Sequence, residues 1–179
     1  MAIRTIIEAP DPRLRVISKP VEAITDDTRA LVADMFETMY DAPGIGLAAI
    51  QVGEPLRILV MDLQEEIPAE EDGGEPTVMR DPRVFINPEI IEPDDARNTY
   101  NEGCLSVPDH YAEVERPASC RARWMDLHGA AHDERIEGML ATVLQHEMDH
   151  LEGVLFIDHL SRLKRDMILR KLAKLKKAA

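Results

Sequence analysis

Residues 137–151 read EGMLATVLQHEMDHL and carry the strongest local pattern in this 179-residue sequence. His146 and His150 lie four residues apart, so on a helix both imidazoles can reach one metal ion. Glu147 lies about 100° further round such a helix and is placed to hold a metal-bound water. Apolar side chains recur along another face, at Leu140, Leu144, Met148 and Leu151. The stretch therefore predicts a helix with a candidate metal site; the alternative is a helix whose histidines are ordinary surface or core polar residues.

The histidine face continues toward the start of this helix with apolar side chains. Met139 and Val143 lie at the three- and four-residue spacings that place them in line with His146. An apolar wall leading to polar groups is typical of a substrate pocket. This arrangement favours the functional interpretation of the two histidines.

A catalytic metal site needs a third protein ligand and an open position. Downstream, the metzincin pattern would place a histidine at position 156, but Phe156 stands there, and no glutamate follows Glu152. Asp158, His159 and Asp166 remain candidates without a recognisable spacing. The downstream sequence therefore does not identify the third ligand.

Upstream, the stretch EGCLS at 102–106 contains Cys104, and its glycine allows close approach of the backbone. A thiolate with two imidazoles suits zinc, iron or nickel rather than magnesium or calcium. Cys120 is the competing candidate. It stands at the head of a predicted strand, where a buried apolar role is the more common one.

A third motif, GIGLAAIQ at residues 44–51, matches the G-x-G-x-x-A pattern of dinucleotide-binding proteins. That pattern must follow a strand and open a helix, whereas here a predicted helix precedes it and a predicted strand follows it. The alternative is an extended segment whose exposed backbone pairs with a peptide. Gln51 offers an amide donor for a developing oxyanion, or it is a solvated loop residue.

Length and pattern predict one domain over residues 1–179, of class α+β. A helix is expected to begin after Thr25, which is followed by two aspartates, and to end at Pro43-Gly44. Residues 64–83 are rich in Glu, Asp, Gly and Pro and predict an acidic surface loop. Strands are expected at 57–63, 84–91, 112–114 and 121–127, and a basic amphipathic helix at 160–177.

The formal net charge of −13 argues against general affinity for DNA or other nucleic acids. Residues 162–177 carry eight basic side chains and one acidic one, +7 in all, which leaves −20 for the rest of the chain. No apolar run approaches the ~18 residues of a membrane span. Charged residues near the start, Arg4 and Glu8 among them, exclude a signal-peptide core. We therefore expect a cytoplasmic protein without membrane contact.

The three motifs at 44–51, 102–106 and 145–150, in this order, resemble those of the peptide deformylase family. The likeness extends to DPRLR at 11–15 and LEGVLFIDHLS at 151–161. It implies a compact α+β fold with antiparallel sheets around the HExxH helix. The acidic stretch at 64–83 is then an insertion relative to a minimal bacterial form.

The resemblance also implies a reaction, removal of the N-formyl group from the initiator methionine of nascent polypeptides. Cys104 then joins His146 and His150 as metal ligand, and Glu147 is the general base. The resemblance favours Fe²⁺ as the ion in the cell, with Zn²⁺ or Ni²⁺ replacing it in purified protein. The oxyanion is stabilised by the side-chain amide of Gln51 and the backbone N–H of Leu105.

Further residues match family positions that hold the N-formylmethionyl peptide or line its methionine pocket: Ile45, Gly46, Glu102, Gly103, Met139 and Val143. The basic helix at 160–177 has two interpretations, a solvated helix or a docking element for the ribosome. The sequence leaves two rival functions open. One is an HExxH metallopeptidase that cleaves internal amides, and the other is a ribosome- or RNA-binding module with a structural metal.

Overall fold

The structure is a computed structural model that describes residues 1–68 and 75–179. The described chain forms three α-helices, α1 (Asp26–Asp41), α2 (Gly138–Leu151) and α3 (Arg162–Ala178), and short 3-10 helices at Pro12–Arg15, Ala49–Val52 and Phe156–His159. Its strands are β1 (Gly46–Ala48), β2 (Ile58–Met61), β3 (Glu65–Ile67), β4 (Thr77–Met79), β5 (Arg83–Pro93), β6 (Arg97–Cys104), β7 (Val107–Pro117), β8 (Ser119–Met125) and β9 (Ala131–Glu137). The predicted α+β class is confirmed.

Helix α1 begins and ends where the sequence predicts. The hydroxyl of Thr25 accepts a hydrogen bond from the Thr28 backbone N–H (3.3 Å), and the Thr28 hydroxyl accepts one from the Thr25 N–H (3.1 Å). This reciprocal cap satisfies two amides that the helix itself leaves free. The helix ends at Asp41, ahead of Pro43-Gly44.

Strand β2 is buried along its whole length in a five-stranded antiparallel sheet with the order β1-β2-β5-β8-β9. Successive side chains of a strand point to opposite faces. Leu59 and Met61 join the core that includes α2, whereas Ile58 and Val60 join the core that includes α1. The two helices cover opposite faces of the sheet, and this is why the strand predicted at 57–63 has a continuous apolar run, Ile58–Met61.

Strands β6 and β7 form a separate long hairpin, and a third core joins it to α3 and to the turn before that helix. Helix α3 begins at Arg162, with Ser161 as its cap, two residues later than the predicted start at 160. Leu160 continues the apolar spacing of the helix, but it ends the preceding 3-10 helix and packs against the third core. Among the described residues, no helix combines the length and apolar character needed to cross a membrane.

The acidic surface loop predicted at 64–83 contains a short hairpin that the sequence did not predict. Strands β3 and β4 pair antiparallel within it, Glu65 opposite Met79 and Ile67 opposite Thr77. All residues of both strands are exposed, so neither face is buried and the sequence carries no apolar alternation to reveal them. Residues 69–74 of the predicted loop lie outside the described residues.

Candidate active site

The structure brings Cys104, at the end of β6, to the two histidines of α2. One ligand atom from each of Cys104, His146 and His150 lies within 4.8 Å of the other two, and the Cys104 Sγ to His150 Nε2 distance is 3.3 Å. Cys120 is instead fully buried in the core under α2, where burial raises the pKa of its thiol. Of the two cysteines, only Cys104 is placed to share an ion with the histidines.

The ring of His146 is oriented by Glu102, which lies on the neighbouring hairpin. His146 Nδ1 is 2.8 Å from Glu102 Oε1, which leaves Nε2 free to face the cysteine. Arg116 donates to both oxygens of Glu102, at 2.7 and 2.9 Å. Burial alone would raise the pKa of Glu102, but the hydrogen bonds from His146 and Arg116 outweigh it and lower that pKa. The carboxylate therefore stays ionised and holds the imidazole in one orientation.

Arg116 extends this contact back to α2. Its Nη1 donates to Asp149 Oδ2 at 2.9 Å, and the same oxygen is 2.7 Å from His159 Nε2. Sequence reasoning missed Arg116 altogether. The sequence did contain one indication that Arg116 is buried. It lies two residues after Val114 in a strand whose buried and exposed residues alternate, and this spacing places both side chains on the inward face.

Glu147 is buried beside the cluster of Cys104, His146 and His150, with 4% of its surface exposed. Its Oε2 has no hydrogen-bond partner among residues 1–68 and 75–179. Burial raises the pKa of this carboxyl to about 7. Gly46 of β1 faces it so closely that a Cβ there would lie 2.6 Å from Glu147 Oε1. A carboxyl group held this way is suited to accept and return a proton.

Gln51 is completely buried, so the alternative of a solvated loop residue is excluded. Its Oε1 accepts a hydrogen bond from the Ala48 N–H (2.8 Å), and its Nε2 donates to Ser106 Oγ (3.0 Å). These contacts turn the amide nitrogen toward Cys104, 3.6 Å from the sulfur. The surrounding segment runs from a strand into a 3-10 helix, which is not the strand-to-α-helix context of a dinucleotide site.

A cavity of about 500 Å³ opens onto these groups. Its walls include every site residue predicted from the sequence except His150, which is fully buried behind them. The predicted residues that line it are Ile45, Gly46, Gln51, Glu102, Gly103, Cys104, Leu105, Met139, Val143, His146 and Glu147. Thr142 and Tyr100 also line the cavity and were not predicted.

Comparison with known proteins gives a consistent result. A family model described as polypeptide deformylase matches residues 3–166. The chain is 70% identical to a peptide deformylase of Rhizorhabdus wittichii, over 99% of this chain and 98% of that protein. It is 65% identical to one of Novosphingobium aromaticivorans, over the full length of both.

Solved structures agree with the sequence relatives. The crystal structure of peptide deformylase from Ehrlichia chaffeensis superposes with a TM-score of 0.89 at 39% identity, covering 99% of this chain and 98% of that one. The structure of the Ehrlichia chaffeensis protein in complex with actinonin gives a TM-score of 0.86 at 40% identity, covering 97% and 98%.

Proposed function

The chain belongs to the polypeptide deformylase family, and from this membership we infer how its own residues carry out the reaction. It is a hydrolase that removes the N-formyl group from nascent polypeptides and releases formate. The resemblance expressed by the motifs at 44–51, 102–106 and 145–150 is confirmed. Family members depend on a metal ion, and the Cys/His/His cluster is a possible site for it.

We propose that Cys104, His146 and His150 hold this ion. One thiolate and two imidazoles are ligands that suit iron, zinc and nickel. Glu102 contacts Nδ1 of His146, which leaves Nε2 available to bind the ion. A divalent ion at this position lowers the pKa of a water and polarises a carbonyl group. The family resemblance favours Fe²⁺ in the cell, with Zn²⁺ or Ni²⁺ as replacements in purified protein. A thiolate beside Fe²⁺ is open to oxidation, so activity of the iron form should fall faster in air than under argon.

Glu147 is the proton carrier in this proposal. Its Oε2 takes a proton from the water whose oxygen attacks the formyl carbon. As the carbon–nitrogen bond breaks, Glu147 Oε2 delivers that proton to the nitrogen of the departing amine. The supporting observation, on which the mechanism chiefly depends, is that Glu147 is buried next to Cys104, His146 and His150 with Oε2 unpartnered among the described residues.

Gln51 and Leu105 stabilise the oxygen that becomes negative during attack. The fixed Gln51 amide already points its nitrogen at the ligand set, and so needs little reorganisation when charge develops. Leu105 follows Cys104 directly and lines the same cavity. We assign one donated hydrogen bond to each.

The peptide lies along the cavity with its methionine side chain against Ile45, Met139 and Val143. The β1 segment at Gly46 and the β6 segment at Glu102-Gly103 border the cavity and position the peptide from its two sides. β1 ends the order of the five-stranded sheet, so its outer edge can pair with an added strand.

The test is formate release from formyl-Met-Ala-Ser by protein prepared anaerobically with Fe²⁺ or Ni²⁺. The isosteric Glu147→Gln variant should keep its metal and lose turnover by about 10²- to 10⁴-fold. The unformylated peptide is the control, and cleavage of its internal amides would favour the rival metallopeptidase function. If metal-loaded wild type released no formate, the deformylase function would be contradicted. Near-normal turnover by the variant would contradict only the role of Glu147.

We also propose that the enzyme works in the cytoplasm, where nascent chains arise, and docks on the ribosome through the basic helix α3. Support comes from the +7 charge of residues 162–177, whose lysines at Lys171 and Lys174 are exposed. Contacts with RNA phosphates make such binding steeply salt-dependent. Lys171→Glu with Lys174→Glu leaves the buried Leu172 in place and should weaken co-sedimentation with ribosomes. Unchanged co-sedimentation would favour the solvated-helix interpretation.

A further inference from the structure

Thr142 is a buried polar residue in the cavity wall for which the mechanism has no use. It lies on α2 one turn before His146, and 3% of its surface is exposed. Its Oγ1 has no hydrogen-bond partner within 1–68 and 75–179. Thr38 shows the usual arrangement of a buried helical threonine, because its hydroxyl donates to the Asp34 carbonyl one turn earlier, at 2.7 Å. Thr142 lacks this bond.

A buried hydroxyl without a partner is unfavourable, and such groups in native proteins commonly await a ligand or an ordered water. Thr142 is also one of the residues that line the cavity. Threonine on a helix uses two rotamers, so rotation about Cα–Cβ can turn Oγ1 toward a cavity occupant. We therefore expect a molecule bound in the cavity to accept the hydrogen bond that the Thr142 hydroxyl does not make within the protein.

Most of the cavity wall near Thr142 is apolar. Ile45, Met139 and Val143 are apolar, and ligand pockets commonly pair such walls with a few polar groups that fix identity. In the proposed function the occupant is the side chain of formylmethionine. Its one atom other than carbon and hydrogen is a thioether sulfur, which is a weak hydrogen-bond acceptor.

We propose that Thr142 determines specificity in this chain by donating its hydroxyl to the methionine sulfur. This inference rests on the proposed function and adds a criterion by which the site distinguishes methionine from its carbon isostere, norleucine. A single hydrogen bond of this kind changes a preference by between about 2-fold and 10-fold.

The test compares kcat/KM for formyl-Met-Ala-Ser and formyl-norleucyl-Ala-Ser. Wild type should prefer methionine by about 2- to 10-fold. Thr142→Val has the same shape without the hydroxyl and should bring the ratio close to one, whereas Thr142→Ser should keep the preference. Thr38→Val is the matched control, because it removes a buried helical hydroxyl away from the cavity and should leave the ratio unchanged.

A second readout needs no substrate. Thr142→Val removes an unpartnered hydroxyl and should leave the melting temperature of the ligand-free protein unchanged or raise it, whereas Thr38→Val removes a satisfied one and should lower it. Equal turnover of the two peptides by wild type, or the same preference in Thr142→Val as in wild type, would overturn the role of Thr142 while leaving deformylation intact. Absence of formate from metal-loaded wild type would overturn the proposed function itself and this inference with it.

Discussion

The close approach of β1 to Glu147, the proposed proton carrier, predicts a specific defect for Gly46→Ala. The added Cβ would lie 2.6 Å from Glu147 Oε1, 3.0 Å from its Cδ and 3.0 Å from Val143 Cγ1. An ordinary contact of this kind begins at 3.4 Å. The carboxylate must therefore retreat by roughly 0.8 Å, the difference between 3.4 and 2.6 Å, or β1 must move away from α2 by a similar distance.

Displacement on this scale is costly for turnover, because misplacing a reacting group by about 1 Å can slow a reaction by ~100-fold. We expect kcat for Gly46→Ala to fall by between about 10-fold and 100-fold. Overpacking of the interior costs ~1–3 kcal/mol of folding stability, so the melting temperature should fall as well. None of Cys104, His146 or His150 is touched, so the bound metal should remain.

The assay is formate release, with metal content and melting temperature measured on the same preparations. A double-mutant cycle with Glu147→Gln separates a local effect from a general one. If the alanine acts by displacing Glu147, adding Gly46→Ala to the Glu147→Gln enzyme should slow it little further. An equal loss in both backgrounds, or a single variant with wild-type kcat, would refute this reasoning.

Three further predictions concern the ligands, the ion pair behind them and the surface. Cys104→Ala should lose bound metal on elemental analysis while remaining folded; full occupancy would assign ligation elsewhere. Arg116→Met leaves the Glu102 carboxylate buried without its cation. The free energy of unfolding in urea should therefore fall by ~3–5 kcal/mol, and the affinity for metal should fall ~10- to 100-fold in a titration. Unchanged values would show that the Glu102–Arg116 pair contributes to neither. The hydrogen bond to Asp126 raises the pKa of His132, so the stability difference between wild type and His132→Gln should be full below pH ~6.5 and vanish as pH rises through the raised pKa; a difference that grows with pH would contradict this assignment.

Sequence patterns predicted the elements whose signals are local. The threonine cap of α1 depends on residues three apart, and the helical face of α2 on residues three and four apart, so both are visible in a short window. β2 was visible because both of its faces are buried. β9 was not, because in the stretch from Ala131 to Glu137 only Ile136 is buried.

The sequence predicted those site residues that belong to short motifs. The two histidines and Glu147 follow from helical spacing, whereas Cys104 needed either the family resemblance or the fold, since it lies 42 residues before His146. Arg116 and Thr142 escaped prediction because their roles depend on partners rather than on neighbours in sequence. Arg116 is defined by a carboxylate on the facing strand, and Thr142 by the hydrogen bond it does not make.

The β6–β7 hairpin is paired separately from the five-stranded sheet, and the candidate active site lies at the boundary between the two. Cys104 and Glu102 belong to the β6–β7 hairpin, whereas the histidines sit on a helix packed against the five-stranded sheet. Contacts of Arg116 with Asp149 and of Glu102 with His146 cross this boundary from hairpin to helix, and the Arg116–Glu102 ion pair holds both hairpin side chains in place. The relative positions of the site residues in this enzyme thus depend on how the β6–β7 hairpin packs against α2. Substitutions that weaken this packing can abolish activity without contacting any reacting atom.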